Sequence, residues 1–238
     1  MPHATPVFIP GLICTADLFR DQLEAFAQYP DMKAPLVADT VTHDTIAAMA
    51  ADALASTDGP LIPIGLSMGG YVAQEMALQA PDRLAGLALL NTNYRADDAT
   101  KRKQRENTIE LAKSDKFKGV TRHLLKSFLS PAAMQDDDLI DRVVAMAQQV
   151  GADGFVRQQT AILSRQDHSD TLKGLAVPVL ILCGTLDTVT PPFLSKEMAA
   201  LAPLAELVML EDVGHLSSLE SPEAVTATLQ GFFDRILG

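Results

Sequence analysis

Short runs of consecutive apolar residues alternate along this chain with longer stretches of helical periodicity. The runs are continuous rather than alternately apolar and polar, as in strands of a parallel sheet that is buried on both faces. The strand candidates are 6–10, 35–38, 61–66, 84–90, 177–183 and 205–210. The helical stretches around them are 16–28, 45–55, 68–79, 192–201 and 222–237. This order predicts an α/β fold with a mostly parallel sheet of about six strands, right-handed crossovers and helices on both faces.

The alternation breaks between the fourth and fifth strand candidates. The interval contains no convincing strand and shows helical periodicity, with Asp97 and Asp98 as candidate N-caps near its start. A helical insertion after the carboxyl end of a strand can cover the site that a parallel sheet presents at that edge. We therefore expect an α/β core of residues 1–94 and 171–238, with residues 95–170 forming a helical lid inserted after the fourth strand.

One residue conflicts with this pattern. Pro63 lies within the third strand candidate, and proline has no amide hydrogen to donate to a neighbouring strand. We expect the strand to be short or bulged at that position.

Composition limits the partners of such a chain. The 238 residues carry a formal net charge of −11 and show no basic patch with interleaved aromatic residues, so nucleic acid is not an expected partner. No apolar run reaches the roughly 18 to 20 residues that a membrane helix needs, and Met1 to Ile9 lack the features of a signal peptide. We therefore expect a cytoplasmic protein without membrane contact.

Cys14 and Cys183 lie in apolar stretches and are expected to be reduced and structural.

Residues 65–69, GLSMG, form a G-x-S-x-G motif. In this motif a serine occupies a tight strand-to-helix turn, so the residues two before and two after it must be small. The motif follows the third strand candidate and opens the helix candidate 68–79, whose positive N-terminus points towards the serine. The sequence therefore predicts Ser67 as a nucleophile.

A serine nucleophile needs a base, and the base needs an acid that orients it. Of the five histidines, His215 lies in the loop after the last strand candidate, where a side chain can reach the carboxyl edge of the sheet. The alternative is that His215 is a surface-loop residue without a catalytic role. Asp187 directly follows the fifth strand candidate and is the predicted acid; Asp212, three residues before His215, is its rival. We favour Asp187 because a separate strand end supports the carboxylate rigidly.

An acyl-transfer site also needs two amide donors for the developing oxyanion. The residue after the nucleophile, Met68, supplies one, and the loop after the first strand candidate is expected to supply the other through Leu12. The Pro10–Gly11 pair before Leu12 can also be read as an ordinary turn.

Four stretches together resemble a known family. They are FIPGL (8–12), GLSMGG (65–70), VPVLILCGTLDTVTPP (177–192) and VGHLSSLESPEAV (213–225). The chain resembles α/β-hydrolase fold serine hydrolases with a helical lid, the group of small bacterial esterases and carbon–carbon bond hydrolases, in which the chain order is Ser, Asp, His. The resemblance implies that Ser67, Asp187 and His215 form a catalytic triad without a metal or organic cofactor. It argues against haloalkane dehalogenases and the related epoxide hydrolases, which carry an aspartate at the position of Ser67.

Two features depart from the family pattern. Most relatives have a histidine where this chain has Pro10, and the first two strands of the larger members are missing. The resemblance therefore implies a minimal sheet of roughly six strands, and the departure at Pro10 concerns the shape of the oxyanion loop and not the triad.

Three functions are compatible with these residues. The first is hydrolysis of a small carboxylic ester, thioester or lactone through an acyl-enzyme on Ser67. The second is cleavage of carbon–carbon bonds in dienoates from aromatic-ring breakdown by the same triad, with Arg165 either holding the dienoate carboxylate or lying on the surface. The third is a non-enzymatic role in binding a small signal molecule or a partner protein.

The predicted lid has a strongly basic beginning. Its basic residues are Lys101, Arg102, Lys103, Arg105, Lys113, Lys116, Lys118, Arg122 and Lys126. We favour the interpretation that they form a solvated helix face. The alternative is a surface that docks an anionic partner such as an acyl carrier protein, or that guides a carboxylate substrate to the site.

Overall fold

The computed structural model describes residues 4–114 and 122–238 of the chain. In this part of the chain, six strands form one sheet. They are β1 (Thr5–Ile9), β2 (Leu36–Val37), β3 (Leu61–Leu66), β4 (Leu87–Leu90), β5 (Val179–Gly184) and β6 (Ala205–Leu210). Their order across the sheet is β2-β1-β3-β4-β5-β6, and every pairing is parallel. The sequence-based prediction of an α/β fold with a six-stranded parallel sheet is confirmed.

Helices connect and flank these strands. They are α1 (Arg20–Phe26), α2 (Ile46–Ala55), α3 (Met68–Gln79), α4 (Ala99–Ala112), α5 (Arg122–Leu125), α6 (Asp137–Leu163), α7 (Ser169–Lys173), α8 (Pro192–Leu201), α9 (Ser217–Glu220) and α10 (Pro222–Leu237). The buried side chains form one large cluster on each face of the sheet. Phe8 of β1 packs into the cluster formed with α1 and α10, whereas its neighbours Val7 and Ile9 pack into the cluster formed with α2, α3 and α8. Alternate side chains of a strand point to opposite faces, so both faces of the sheet are covered.

Several predicted boundaries agree with the structure, and others shift. The bounds of β3, β6, α3, α8 and α10 are those that the sequence predicts. The second strand candidate shrinks to the two residues of β2, which lies at the edge of the sheet and is partly exposed. The first helix candidate begins as a 3₁₀ turn, Ala16–Phe19, before α1; the Thr15 hydroxyl accepts a hydrogen bond from the Asp17 amide there.

Pro63 does not shorten β3, which keeps its six residues from Leu61 to Leu66, but the pairing on the β4 side is irregular at this position, as a bulge would make it. The β1–β3 register runs without interruption through the pair Val7 and Pro63. On the β4 side, an isolated bridge pairs Leu61 with Leu84, and the regular ladder begins at Ile64 opposite Ala88, so the partner strand has one residue more than β3 across this interval. Proline is accommodated because it lies between the Leu61 bridge and the start of the β4 ladder, where a missing donor costs no strand–strand hydrogen bond.

Between β4 and β5 lie helices α4 to α7, which we call the insertion. Asp98 caps α4 by accepting a hydrogen bond from the Lys101 amide at 2.8 Å. Helix α6 is interrupted at Gly151, whose φ of +67° favours glycine. Helix α7 spans the predicted lid boundary at residue 170 and contacts α3 and α8 of the core. None of the helices described here has both the length and the apolar composition needed to cross a membrane.

Candidate active site

The structure brings the predicted nucleophile, acid and base together at the carboxyl edge of the sheet. Ser67 follows β3, Asp187 follows β5, and His215 lies in the loop after β6. The Ser67 Oγ lies 2.9 Å from Nε2 of His215, and Nδ1 of His215 lies 2.8 Å from Oδ2 of Asp187. Asp187 and His215 are almost completely buried. Asp212, the rival acid, lies at an exposed turn, where its amide donates to the Thr185 hydroxyl.

The turn that holds Ser67 is sharply bent. Ser67 has φ +57° and ψ −117°, a backbone conformation that residues other than glycine rarely adopt. Proteins retain such strained conformations mainly at functional sites. A β-carbon at Gly65 would lie 2.2 Å from the carbonyl oxygen of Gly69, and one at Gly69 would lie 1.9 Å from that of Ile9. Both glycines are therefore required because backbone segments meet there with no room for a side chain.

Asp187 is held by a full set of hydrogen bonds. The amides of Val189 and Thr190 donate to Oδ1 at 2.8 and 2.9 Å. The Thr190 hydroxyl and the Asn91 amide group donate to Oδ2 at 2.7 and 2.9 Å. Burial raises the pKa of Asp187, but attraction to His215 and the hydrogen bonds from His215, Asn91 and Thr190 outweigh it and hold the pKa below its ordinary value.

Glu220 fixes the loop that carries His215. Its carboxylate accepts hydrogen bonds from the amides of Gly214 at 3.0 Å and Leu216 at 3.2 Å. It also accepts one from the amide of Ser130, in the insertion, at 2.9 Å. Glu220 therefore ties the His215 loop to the insertion.

Three residues of the site, Asn91, Thr190 and Glu220, were not predicted from the sequence. Asn91 directly follows β4, and such a position at a strand end was an available signal. Thr190 lies three residues after Asp187 in the same loop. Glu220 ends the short helix α9, which offers no comparable signal.

The predicted oxyanion donors line the same cavity as Ser67. Leu12 and Met68 both contribute to its wall. Met68 is the first residue of α3, a position whose amide has no acceptor within the helix. The loop that carries Leu12 is held by Gln158 of α6, whose Oε1 accepts a hydrogen bond from the Ile13 amide at 2.9 Å.

The cavity at Ser67 has a volume of about 80 Å³. Its lining is mostly apolar and includes Ile13, Leu66, Phe128, Val143, Ile162 and Leu216. Cys14 also lines the cavity, and burial raises the pKa of its thiol to about 12. Cys183 is equally buried, and burial together with the charge of Asp187 raises its pKa to about 12. Both cysteines are free and buried, in agreement with the expectation that they are reduced.

A second, polar pocket of about 280 Å³ adjoins this cavity, because Tyr71, Arg105 and Val189 line both. Arg165, which the sequence left as either a carboxylate ligand or a surface residue, lines the polar pocket and is buried. Its guanidinium lies 4.2 Å from the centre of the Tyr71 ring and donates to Asp97 at 2.7 Å. The surface interpretation of Arg165 is therefore wrong.

The basic beginning of the insertion is mostly exposed. The exposed members are Lys101, Arg102, Lys103, Lys113 and Lys126. Arg105 is the exception, since it is half-buried and paired with Asp97. Lys116 and Lys118 lie outside the described residues, as does the side chain of Arg122. Across residues 4–114 and 122–238, His, Cys, Asp and Glu side chains form no group of three that could hold a metal ion.

Comparisons with known proteins identify the family and agree with the fold. The profile of the alpha/beta hydrolase family matches residues 7–228. A protein of Mycobacterium tuberculosis named as the non-heme bromoperoxidase BpoC is 30% identical to this chain over 207 residues, covering 82% of this chain and 77% of that protein. The pimeloyl-acyl-carrier-protein methyl ester esterase of Neisseria meningitidis is 27% identical over 192 residues, covering 79% of this chain and 75% of the esterase.

Among solved structures, a thermophilic esterase from Thermogutta terrifontis superposes with a TM-score of 0.88. It is 24% identical in sequence, and the match covers 99% of this chain and 91% of the esterase. This similarity supports the assignment of the fold.

Proposed function

The chain belongs to the alpha/beta hydrolase family and is a hydrolase, and we propose that it cleaves small carboxylic esters through an acyl-enzyme on Ser67. One observation carries the proposal. The hydroxyl of Ser67, the imidazole of His215 and the carboxylate of Asp187 form a continuous hydrogen-bonded series that opens into an apolar cavity. This is the geometry that activates a serine for acyl transfer.

In the first half of the reaction, Ser67 Oγ attacks the carbonyl carbon of the ester while its proton passes to Nε2 of His215. The hydrogen bond from Nδ1 to Asp187 keeps the imidazole in the tautomer that can accept this proton. Asp187 stays ionised, in keeping with its lowered pKa, and stabilises the imidazolium that forms. Collapse of the tetrahedral intermediate breaks the carbon–oxygen bond to the alcohol, which leaves with the proton from His215.

In the second half, water attacks the acyl carbon on Ser67. His215 accepts a proton from the water and then returns it to Ser67 Oγ as the carboxylic acid product leaves. In both halves the oxyanion would be held by the amides of Met68 and Leu12, which border the cavity next to Ser67.

The cavity supports a small substrate. About 80 Å³ beside Ser67 suits a short apolar group rather than a long acyl chain. A small thioester or lactone has the same reacting carbonyl and falls within the proposal. The named activity of the Neisseria meningitidis relative, a methyl ester esterase acting on an acyl-carrier-protein substrate, is consistent with ester chemistry and with a carrier at the exposed basic residues.

Carbon–carbon bond hydrolysis is the second candidate. The observation that favours it is the polar pocket with Arg105 and Arg165, because a dienoate substrate brings a carboxylate that needs a cationic partner. Loss of dienoate absorbance in a Ser67-dependent reaction would support this candidate, and turnover of esters alone would exclude it.

Burst kinetics with 4-nitrophenyl acetate and labelling by a fluorophosphonate test the proposal. We expect a burst of 4-nitrophenolate and a covalent label in the wild-type protein. Both should be lost in Ser67→Ala and kept in Ser56→Ala, a serine whose hydroxyl donates to the carbonyl of Ala53 at the end of α2. A wild-type protein that is neither labelled nor active would contradict the proposal and favour a binding role.

A further inference from the structure

The polar pocket beside the cavity concentrates positive charge in an otherwise acidic chain. Lys101, Arg105 and Arg165 line it, and among the described residues Asp97 is the single carboxylate in its lining. The chain as a whole has a net charge of −11. This local reversal of sign makes the pocket the place where an anionic group would be held.

Arg165 has a donor without an acceptor. The exposed fraction of its side chain is 4%, so the group is almost fully removed from water. Its Nε donates to the carbonyl of Arg95 at 2.9 Å and its Nη2 donates to Asp97 at 2.7 Å. Its Nη1 is buried and has no hydrogen-bond partner among the described residues. A buried charged donor without an acceptor is costly, and an anionic ligand in the pocket would supply the acceptor.

Arg105 connects this pocket to the reacting serine. Its Nε donates to Asp97 at 2.9 Å and its Nη1 donates to Gln159, which leaves Nη2 as its remaining nitrogen. Arg105 lines both the polar pocket and the apolar cavity at Ser67. One substrate can therefore have its ester beside Ser67 and a second group beside Arg105.

The charge balance of this cluster favours a carboxylate. Asp97 lies between two guanidinium groups and neutralises one of them, so the buried part of the cluster keeps one positive charge. One carboxylate balances that charge, and the planar fork of a guanidinium matches its geometry. Lys101 is exposed and adds attraction at the entrance of the pocket.

We propose that the pocket lined by Lys101, Arg105 and Arg165 binds a free carboxylate of the substrate, so that the preferred substrates are small esters or lactones with a second, ionised carboxyl group. This inference rests on the proposed ester hydrolysis and adds the class of substrate. Tyr71 and Val189, which line both spaces, would contact the part of the substrate between its two ends.

Matched substrates that differ only in charge test the inference. Monomethyl succinate and monomethyl glutarate are compared with the corresponding methyl ester amides, in which a carboxamide of the same shape replaces the carboxylate. We expect kcat/KM to be at least about tenfold higher for the acids, as a charged hydrogen bond at a buried site implies. In Arg105→Met the ratio of acid to amide should fall to about one.

Further variants separate charge recognition from damage to the fold. Arg105→Lys keeps the charge and should keep part of the preference for the acids. Lys101→Met removes an exposed charge, so a fall in the ratio of about twofold is expected without loss of folding. The matched control is Lys103→Met on the same helix; its side chain is 73% exposed and does not line the pocket, so the ratio should stay unchanged.

A binding measurement distinguishes failure of this inference from failure of the proposed function. Glutarate, glutaramide and inorganic phosphate are added to the wild-type, Ser67→Ala and Arg105→Met proteins, and the melting temperature is followed. A rise with glutarate alone, kept in Ser67→Ala and lost in Arg105→Met, supports a carboxylate site even if esterase activity is absent. Equal turnover of acid and amide esters, or a larger rise with phosphate than with glutarate, would overturn the carboxylate site while leaving the esterase proposal in place.

Discussion

Two buried charged side chains, Asp187 in the core and Arg165 in the insertion, are held in different ways. Both oxygens of Asp187 accept hydrogen bonds from the loop around it, from Asn91 and from His215. Arg165 shares the single carboxylate of Asp97 with Arg105 and keeps one nitrogen unpaired within the described residues. In the core, both oxygens of the buried Asp187 carboxylate have hydrogen-bond donors before a substrate arrives. In the insertion, the buried guanidinium of Arg165 keeps a donor that a ligand can pair with. Under the two proposals above, the strand ends carry out the chemistry and the insertion selects the substrate.

The largest expected effect is that of a substitution at Asp187, in the core. Asp187→Asn should lower kcat for ester hydrolysis by about four orders of magnitude, because an amide at this position no longer holds the His215 tautomer that accepts a proton from Ser67. Steady-state kinetics at neutral pH measure the effect. Asp212→Asn is the control and should retain wild-type kcat. An equal loss in both variants would restore Asp212 as a candidate acid.

The same variant carries a prediction for pH. Because the folded-state pKa of Asp187 lies below its unfolded value of about 3.9, ionised Asp187 adds stability above that value and loses it as the pH falls through the folded pKa. The difference in unfolding free energy between wild-type and Asp187→Asn should be constant above about pH 5 and shrink below about pH 3.9. Urea titrations at several pH values check this.

Asp97→Asn tests how the buried charges of the insertion are stabilised. It removes the one carboxylate between two guanidinium groups, and leaving buried charges without a partner should cost about 3 kcal/mol of unfolding free energy. Denaturant unfolding measures the loss. The neighbouring substitution Asp98→Asn should change stability little, because asparagine caps a helix about as well as aspartate. Similar losses in both variants would show that Asp97 has no special electrostatic role.

Glu220→Gln tests the connection between the two regions. Glutamine offers one acceptor where the carboxylate receives three backbone amides, so the unfolding free energy should fall by about 2 kcal/mol. Because the affected loop carries His215, we expect kcat to fall more than KM rises. Glu223→Gln, an exposed substitution in the first turn of α10, is the control. A rise in KM with unchanged kcat would mean that Glu220 does not position the base.

The smallest expected effect concerns the oxyanion loop. Gln158→Leu removes the acceptor of the Ile13 amide without removing a proposed oxyanion donor. Loss of a donor costs about 10²- to 10³-fold in kcat, so a displaced loop should cost less than about tenfold. Gln148→Leu on the same helix is exposed and should leave kcat unchanged. No change in Gln158→Leu would mean that the insertion does not influence the oxyanion site.

The core can be predicted from the sequence better than the insertion, because helices of the core begin at residues that mark a helix start locally. Helix α8 begins at a Pro–Pro pair, and α3 begins at the glycine-flanked serine, so both bounds can be read along the chain. The positions of Ser67, Asp187 and His215 follow for the same reason, since each lies just after a strand. Their catalytic roles remain predictions.

The supporting contacts could not be predicted because they join distant parts of the chain. Asn91 and Asp187 are 96 positions apart, and Glu220 and Ser130 are 90 apart. Arg165 is 68 positions from Asp97, so no local pattern indicates that it is buried. Such pairs depend on how the insertion packs on the core, and the periodicity of a single helix does not contain that information.

The thiol of Cys14 allows the opening rate of the cavity to be measured. With a pKa of about 12, only about one molecule in 10⁵ carries the thiolate at neutral pH while the side chain stays buried, so a maleimide reacts appreciably only when the covering residues move away. Cys183, a residue of β5, is fully buried and provides the reference rate for unfolding of the core. The ratio of the two alkylation rates therefore measures how often the cavity at Ser67 opens to solvent relative to unfolding of the core.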